Sequence, residues 1–151
     1  MDIHETIKGD FIISTDKTKL DVVLIHRYLC AESYWAKNIP MQIVEKSIEG
    51  SLCFGIYHNT KQVGFARVIT DQATFGYLAD VFVIEEYRGR GLSKWLMEVI
   101  MNHPGLQGLR RWLLATKDAH GLYAQFGFTP LDKPERIMGM KPFEEYPQPN
   151  S

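Results

Sequence analysis

The chain has 151 residues, 45% of them hydrophobic and 23% charged, which is the usage of one ordinary folded domain and excludes long disorder or a membrane-embedded chain. A formal charge of -1 gives no general pull toward nucleic acid or anionic lipid, so an anion site has to be local and built from a few groups. Two cysteines, Cys30 and Cys53, cannot form a disulfide framework and lack metal-ligand spacing, and both read as buried free thiols among apolar neighbours.

The polar start MDIHETIKGD has no signal-peptide core, and no apolar run approaches bilayer length, so a cytoplasmic location is expected. Phe11 to Ser14 predicts a short strand, followed by a turn around Asp16 and a helix from about Lys19 to Glu32. Thr18 and Asp21 have the spacing of a capping box, and Leu20, Val23, Leu24 and Tyr28 recur at helical intervals. Asn38, Ile39 and Pro40 open a second helix whose apolar stripe is Ile43, Val44 and Ile48, with Gly50 placed to end it.

Leu52 to His58, Val63 to Thr70 and Phe75 to Ile84 read as three strands, most simply an antiparallel meander. Gly89 to His103 carries Leu92, Trp95, Leu96, Val99 and Ile100 on one face of an amphipathic helix. Trp112 to Ala115 reads as a buried strand parallel to the last meander strand, because a helix connects them. Asp118 is placed to cap a final helix to about Phe126, closed by Gly127, and Phe128 with Ile137 to Met140 reads as a closing strand pair. The order predicts one α/β domain (an α+β mixed sheet) over residues 1–151, with a loose tail from about residue 142.

The sharpest chemical signal is YRGRGLSKWL, where a strand feeds a turn and then a helix. The first turn of a helix has amides without intrahelical partners, and the helix dipole adds partial positive charge there. Gly89 and Gly91 let the backbone approach an oxyanion, while Arg88, Arg90 and Lys94 add charge around a seat fit for a pyrophosphate. A GxGxxG loop would need glycine at Lys94, and no Walker pattern is present. A nucleic-acid patch is disfavoured because the basic cluster is short and adjoins Glu85 and Glu86.

A second segment, TKDAHGLYAQFGF, lies one strand and a helix start later, and the pair together resembles the GNAT superfamily of N-acetyltransferases. Arg88 and Gly91 match that family's acetyl-CoA loop, with Ser93 in place of its final Gly or Ala; Ala119, Leu122, Tyr123, Gly127 and Phe128 match the later motif, with Thr116 in place of Asn. The resemblance implies a mostly antiparallel sheet with a splayed parallel strand pair, flanked by helices. It also implies acetyl-CoA as co-substrate, without a metal. The loop Arg88, Gly89, Arg90, Gly91, Leu92, Ser93 and Lys94 would hold the phosphates, with Thr116, Ala119 and Tyr123 along the arm. Backbone groups around Val81, Phe82 and Val83 would pair with the pantetheine amides, and the Val83 N–H would stabilise the oxyanion.

Acetyl transfer needs a neutral amine, a stabilised oxyanion and a protonated leaving thiolate. Tyr123 is the expected proton donor, since a phenol with pKa about 10 is protonated at neutral pH. For the amine's proton the candidates are Asp80, unusual in an apolar strand, with Glu32 and His120 as others, and bulk water can serve instead. Tyr34, Trp35, Phe75 and Tyr77 gather aromatic surface for the acceptor, an amine of a small molecule or peptide. A catalytically silent acyl-CoA sensor is the competing class; helix and strand edges leave room for a homodimer, and neither nucleic acid nor a membrane is expected as a partner.

Overall fold

The computed structural model describes residues 2–148. Six strands form one sheet in the order β1 (Glu5–Lys8), β2 (Phe11–Ser14), β3 (Leu52–His58), β4 (Lys61–Thr70), β5 (Phe75–Val83) and β6 (Arg111–Leu114). Neighbours are antiparallel except β5 and β6, which are parallel. The antiparallel meander and the parallel pairing of β6 with β5 are as the sequence predicts, but β6 is exposed to half-buried along its length rather than buried. Residues 53–57 of β3 are all buried, and successive strand residues face opposite sides, so both faces of the sheet centre are covered.

The helices α1 (Val22–Arg27), α2 (Met41–Glu49), α3 (Leu92–Met101) and α4 (His120–Ala124) flank the sheet. In α3 the buried residues are Leu92, Trp95, Leu96, Met97 and Ile100, close to the expected stripe. They join Phe54, Phe65, Val68, Phe82 and Tyr123 in one apolar cluster. Among the described residues no helix is long and apolar enough to cross a membrane.

The structure departs from five local readings of the sequence. Strand β1 lay unseen in the sequence because all four residues are exposed; it exists through its ladder to β2 across a turn at Gly9, whose φ is +61. The first helix is not continuous from Lys19. A 3₁₀ turn covers Lys17–Lys19, α1 starts only after Asp21, and a π turn follows over Tyr28–Glu32 in which Ser33 N–H donates to Tyr28 C=O at 2.9 Å. The expected Thr18 and Asp21 box gives way to two separate caps: Asp16 accepts from Thr18 N–H, and Asp21 accepts from Leu24 N–H at 3.1 Å.

At the start of α4, Asp118 makes no cap; instead Thr116 Oγ1 accepts from Ala119 N–H at 3.0 Å. The expected closing strands do not form. Residues 129–148 are irregular with a single 3₁₀ turn at Pro134–Arg136, and Met138 and Met140 are 93% and 87% exposed. Pro130, Pro134 and Pro142 punctuate this stretch, each lacking an N–H for a ladder and fixing φ.

Candidate active site

Strands β5 and β6 pair only from Phe75 with Arg111 to Leu78 with Leu114, yet β5 runs on to Val83. Past Leu78 the two strands part at their C-terminal ends, the end at which open parallel sheets commonly receive ligands. A cleft of about 760 Å³ occupies the opening. The loop around Tyr34 and Trp35 and residues Ile43 and Ser47 of α2 form one wall; Leu114 to Ala119 and Tyr123 form the other. Tyr146 reaches the rim, its carbonyl accepting from Asn38 Nδ2 at 3.2 Å.

The strand edge in the cleft carries a bulge. Arg67 pairs with Ala79 and Phe65 with Phe82, so Asp80 and Val81 together stand opposite Ala66. Asp80 takes up the extra residue in the left-handed region at φ +54, a conformation that Asp tolerates better than most side chains. Its carboxylate is held on both oxygens: Trp35 Nε1 donates to Oδ1 and Arg67 Nε to Oδ2, each at 2.9 Å. Arg67 Nη1 also donates to Ser51 Oγ at 3.0 Å. Arg67 was not singled out in the sequence; its one signal is a charge inside the apolar strand VGFARVIT.

The glycine turn follows β5 at the same end of the sheet. Gly89 and Gly91 have φ of +80 and +77, and a Cβ on either would meet nothing within 4 Å. Backbone conformation, rather than crowding, therefore requires glycine here. Gly91 caps α3, and Trp95 N–H reaches back to its carbonyl at 3.1 Å, so the first-turn amides of Leu92, Ser93 and Lys94 have no intrahelical acceptor. Arg88 ties this turn to the end of β5 and to α1's extension: Nε donates to Val83 C=O at 3.0 Å and Nη2 to Tyr28 Oη at 2.9 Å. The Arg90 guanidinium lies over the Tyr87 ring at 4.7 Å. Lys94 is exposed on the first turn of α3.

Tyr123 is buried in α4 and lines the cleft. Burial pushes its phenol pKa up, with the nearby Tyr34 and Asp118 adding to the shift, so it stays protonated well above neutral pH. Thr116 and Ala119 line the same wall. Val81 faces the cleft, whereas Phe82 is buried against Tyr28, ring to ring at 3.9 Å, and Val83 is buried with its carbonyl taken by Arg88.

Of the four aromatics expected around an acceptor, Tyr34, Trp35 and Tyr77 meet in the cleft and Phe75 does not; it sits at the paired start of β5, opposite Arg111. Of the three side chains considered for the amine's proton, Asp80 lines the cleft, while Glu32 and His120 are exposed outside its walls. Cys53 is 1% exposed and burial raises its thiol pKa to about 11, as a structural thiol requires, while Cys30 is only half-buried.

Known proteins share this fold. A crystal structure of a GNAT-family protein from Xanthomonas campestris pv. campestris is 52% identical, covers 93% of this chain and 94% of its own, and superposes with a TM-score of 0.84. A Gibberella zeae protein classed as an acetyltransferase is 30% identical over 92% of this chain and 84% of its own length. A Clostridium acetobutylicum protein solved with acetyl-CoA shares the fold, with 13% identity, a TM-score of 0.62 and coverage of 93% and 95%. Residues 21–128 match the family described as the acetyltransferase (GNAT) family, and the chain belongs to it.

Proposed function

We propose that this protein is an N-acetyltransferase that moves the acetyl group of acetyl-CoA to a primary amine of a small molecule or peptide by direct attack. The observation that carries the reading is the parting of β5 from β6 beside a left-handed glycine turn, with a buried phenol on the opposite wall. Open first-turn amides suit a pyrophosphate, and the unpaired edge of β5 beyond Leu78 suits an extended arm bearing amides. Acetyl-CoA supplies the activated acyl group, and its solved complex with a protein of this fold supports the fit.

The neutral amine nitrogen forms a bond to the thioester carbonyl carbon, giving a tetrahedral oxyanion that backbone N–H groups near Val81 to Val83 stabilise. The carbon–sulfur bond then breaks, and the Tyr123 hydroxyl gives its proton to the leaving sulfur. Asp80 has both oxygens engaged by protein donors but keeps lone pairs free, so it orients the incoming nitrogen while water carries the surplus proton away.

Calorimetric titration with acetyl-CoA, CoA and dephospho-CoA, followed by thiol release against a panel of amines, tests the reading. Binding of CoA together with amine-dependent thiol release is expected. Binding without turnover for any amine would favour a silent acyl-CoA sensor, and no binding at all would end the acetyltransferase reading for this chain.

A further inference from the structure

Resting on that reading, we infer that the acceptor is a zwitterionic amine, in the simplest case an α-amino acid with an apolar or aromatic side chain, bound by Arg67 through its carboxylate and by Asp80 through its ammonium.

Arg67 and Asp80 form an ion pair whose side chains are only 15% and 9% exposed, and both line the cleft. Neither partner is saturated. A guanidinium has five N–H donors, and this one spends Nε on Asp80 and one Nη1 hydrogen on Ser51, which leaves Nη2 free. A carboxylate accepts at about four lone-pair sites, and Asp80 uses two, one for Arg67 and one for Trp35. The pair is fixed from both sides, since Ser51 anchors the guanidinium and the Trp35 indole anchors the carboxylate. It offers a positive and a negative hydrogen-bonding group side by side on the lining of one cleft.

Charge balance narrows the class of ligand. The charged side chains along the cleft are Arg67 and Lys117 against Asp80 and Asp118, two of each sign. A singly charged ligand in so sheltered a site would leave one charge without a partner, which desolvation makes costly, whereas a zwitterion brings its own balance. Because Arg67 Nε and Asp80 Oδ2 are 2.9 Å apart, the ligand's two charges must also be close, as they are when amine and carboxylate share one carbon. Trp35 and Tyr77 flank this pair with ring surface, which suits an apolar or aromatic side chain beyond the charged end.

The test is calorimetry on the CoA-loaded protein with the twenty L-amino acids, each set beside its decarboxylated amine where one exists, and then kcat/KM for the pairs that bind. A carboxylate-bearing acceptor is expected to exceed its decarboxylated partner by at least roughly tenfold in kcat/KM, a margin that a pocket built to pair a polar group readily reaches. In Arg67→Gln that ratio should collapse toward one. The ratio is taken within a single protein sample, so partial unfolding of the variant does not disturb it. Decarboxylated amines that serve as well or better in the parent protein, or a preference that survives Arg67→Gln, would overturn the inference. CoA-loaded protein that binds no amino acid would overturn it while leaving the acetyltransferase reading standing; protein that fails to bind CoA would remove both.

Discussion

The hydroxyl of Tyr34 accepts a hydrogen bond from the backbone N–H of Lys117 at 3.0 Å, which fastens the loop between α1 and α2 to the chain leaving β6 across the mouth of the cleft. The same ring lies under the Lys117 ammonium at 5.5 Å and edge-on to Trp35 at 5.0 Å between centroids. Replacing Tyr34 by Phe removes the latch and keeps the ring. We expect a stability loss of about 0.5 to 1.5 kcal/mol in urea unfolding and a rise in KM for the acceptor larger than any fall in kcat. A kcat loss with unchanged KM would place Tyr34 in the chemical step instead.

Tyr123→Phe keeps the buried ring and deletes the proton donor. General acid catalysis is typically worth about 10² to 10⁴ in rate, so kcat should fall within that range while the calorimetric affinity for CoA stays unchanged. The pH profile adds a second readout. Burial raises the Tyr123 pKa above the free phenol's, so its protonated, active form persists to higher pH and the alkaline fall in kcat should be displaced upward from that of a free phenol. That limb should vanish in the variant.

Gly91→Ala tests the turn. At φ +77 an L-residue bears about 1 to 2 kcal/mol of backbone strain, and because no atom lies within 4 Å of the new Cβ, the cost is conformational alone. Thermal unfolding should show that loss, together with weaker CoA binding as the first-turn amides shift. Gly91→Asn, which enters the left-handed region more easily, should recover part of both.

How much of this could be read beforehand varies with the physics involved. The α3 stripe was plain because a helix burying one face writes its period into the sequence. The glycine turn was plain because few residues accept its backbone angles. Strand β1 was invisible, since its four exposed residues carry no alternation, and Ile137 to Met140 misled because an apolar run says nothing of whether a partner edge is near. Arg67 was overlooked for a similar reason. Its tie to Asp80 depends on strand register and on a bulge, and neither exists until the sheet is assembled.

His103 is buried, its Nδ1 accepts from Gly105 N–H at 3.0 Å, and its Nε2 has no hydrogen-bond partner among the described residues. Burial lowers its pKa below the usual 6.5, with His4 beside it adding to the effect. A lowered folded-state value means the unfolded chain binds the proton first, so this contribution is present above pH 6.5 and is lost as pH falls through the folded-state pKa. Unfolding free energy measured from pH 7.5 downward should decline over that window, and His103→Gln should flatten the slope. An unchanged slope would assign the acid sensitivity to other groups.

Native thiol titration with an aromatic disulfide should label Cys30 alone. Cys53, with its thiol raised to about 11 and its S–H directed at the Ile48 carbonyl, should react only after unfolding. Two fast thiols in the folded protein would mean that the β3 core opens readily.

The early end of pairing between β5 and β6 gives this sheet an interior rim. Exposed strand edges invite foreign strands, and proteins usually blunt them at the periphery. Here the unfilled length lies within a cleft lined by Tyr34, Trp35 and Tyr123, where a slim extended chain of amides can complete the row. A bound ligand arm would thus count as a seventh strand. Those amide hydrogens between Ala79 and Val83 that point away from β4 would then exchange with solvent at a rate that reports how far that strand has been laid down.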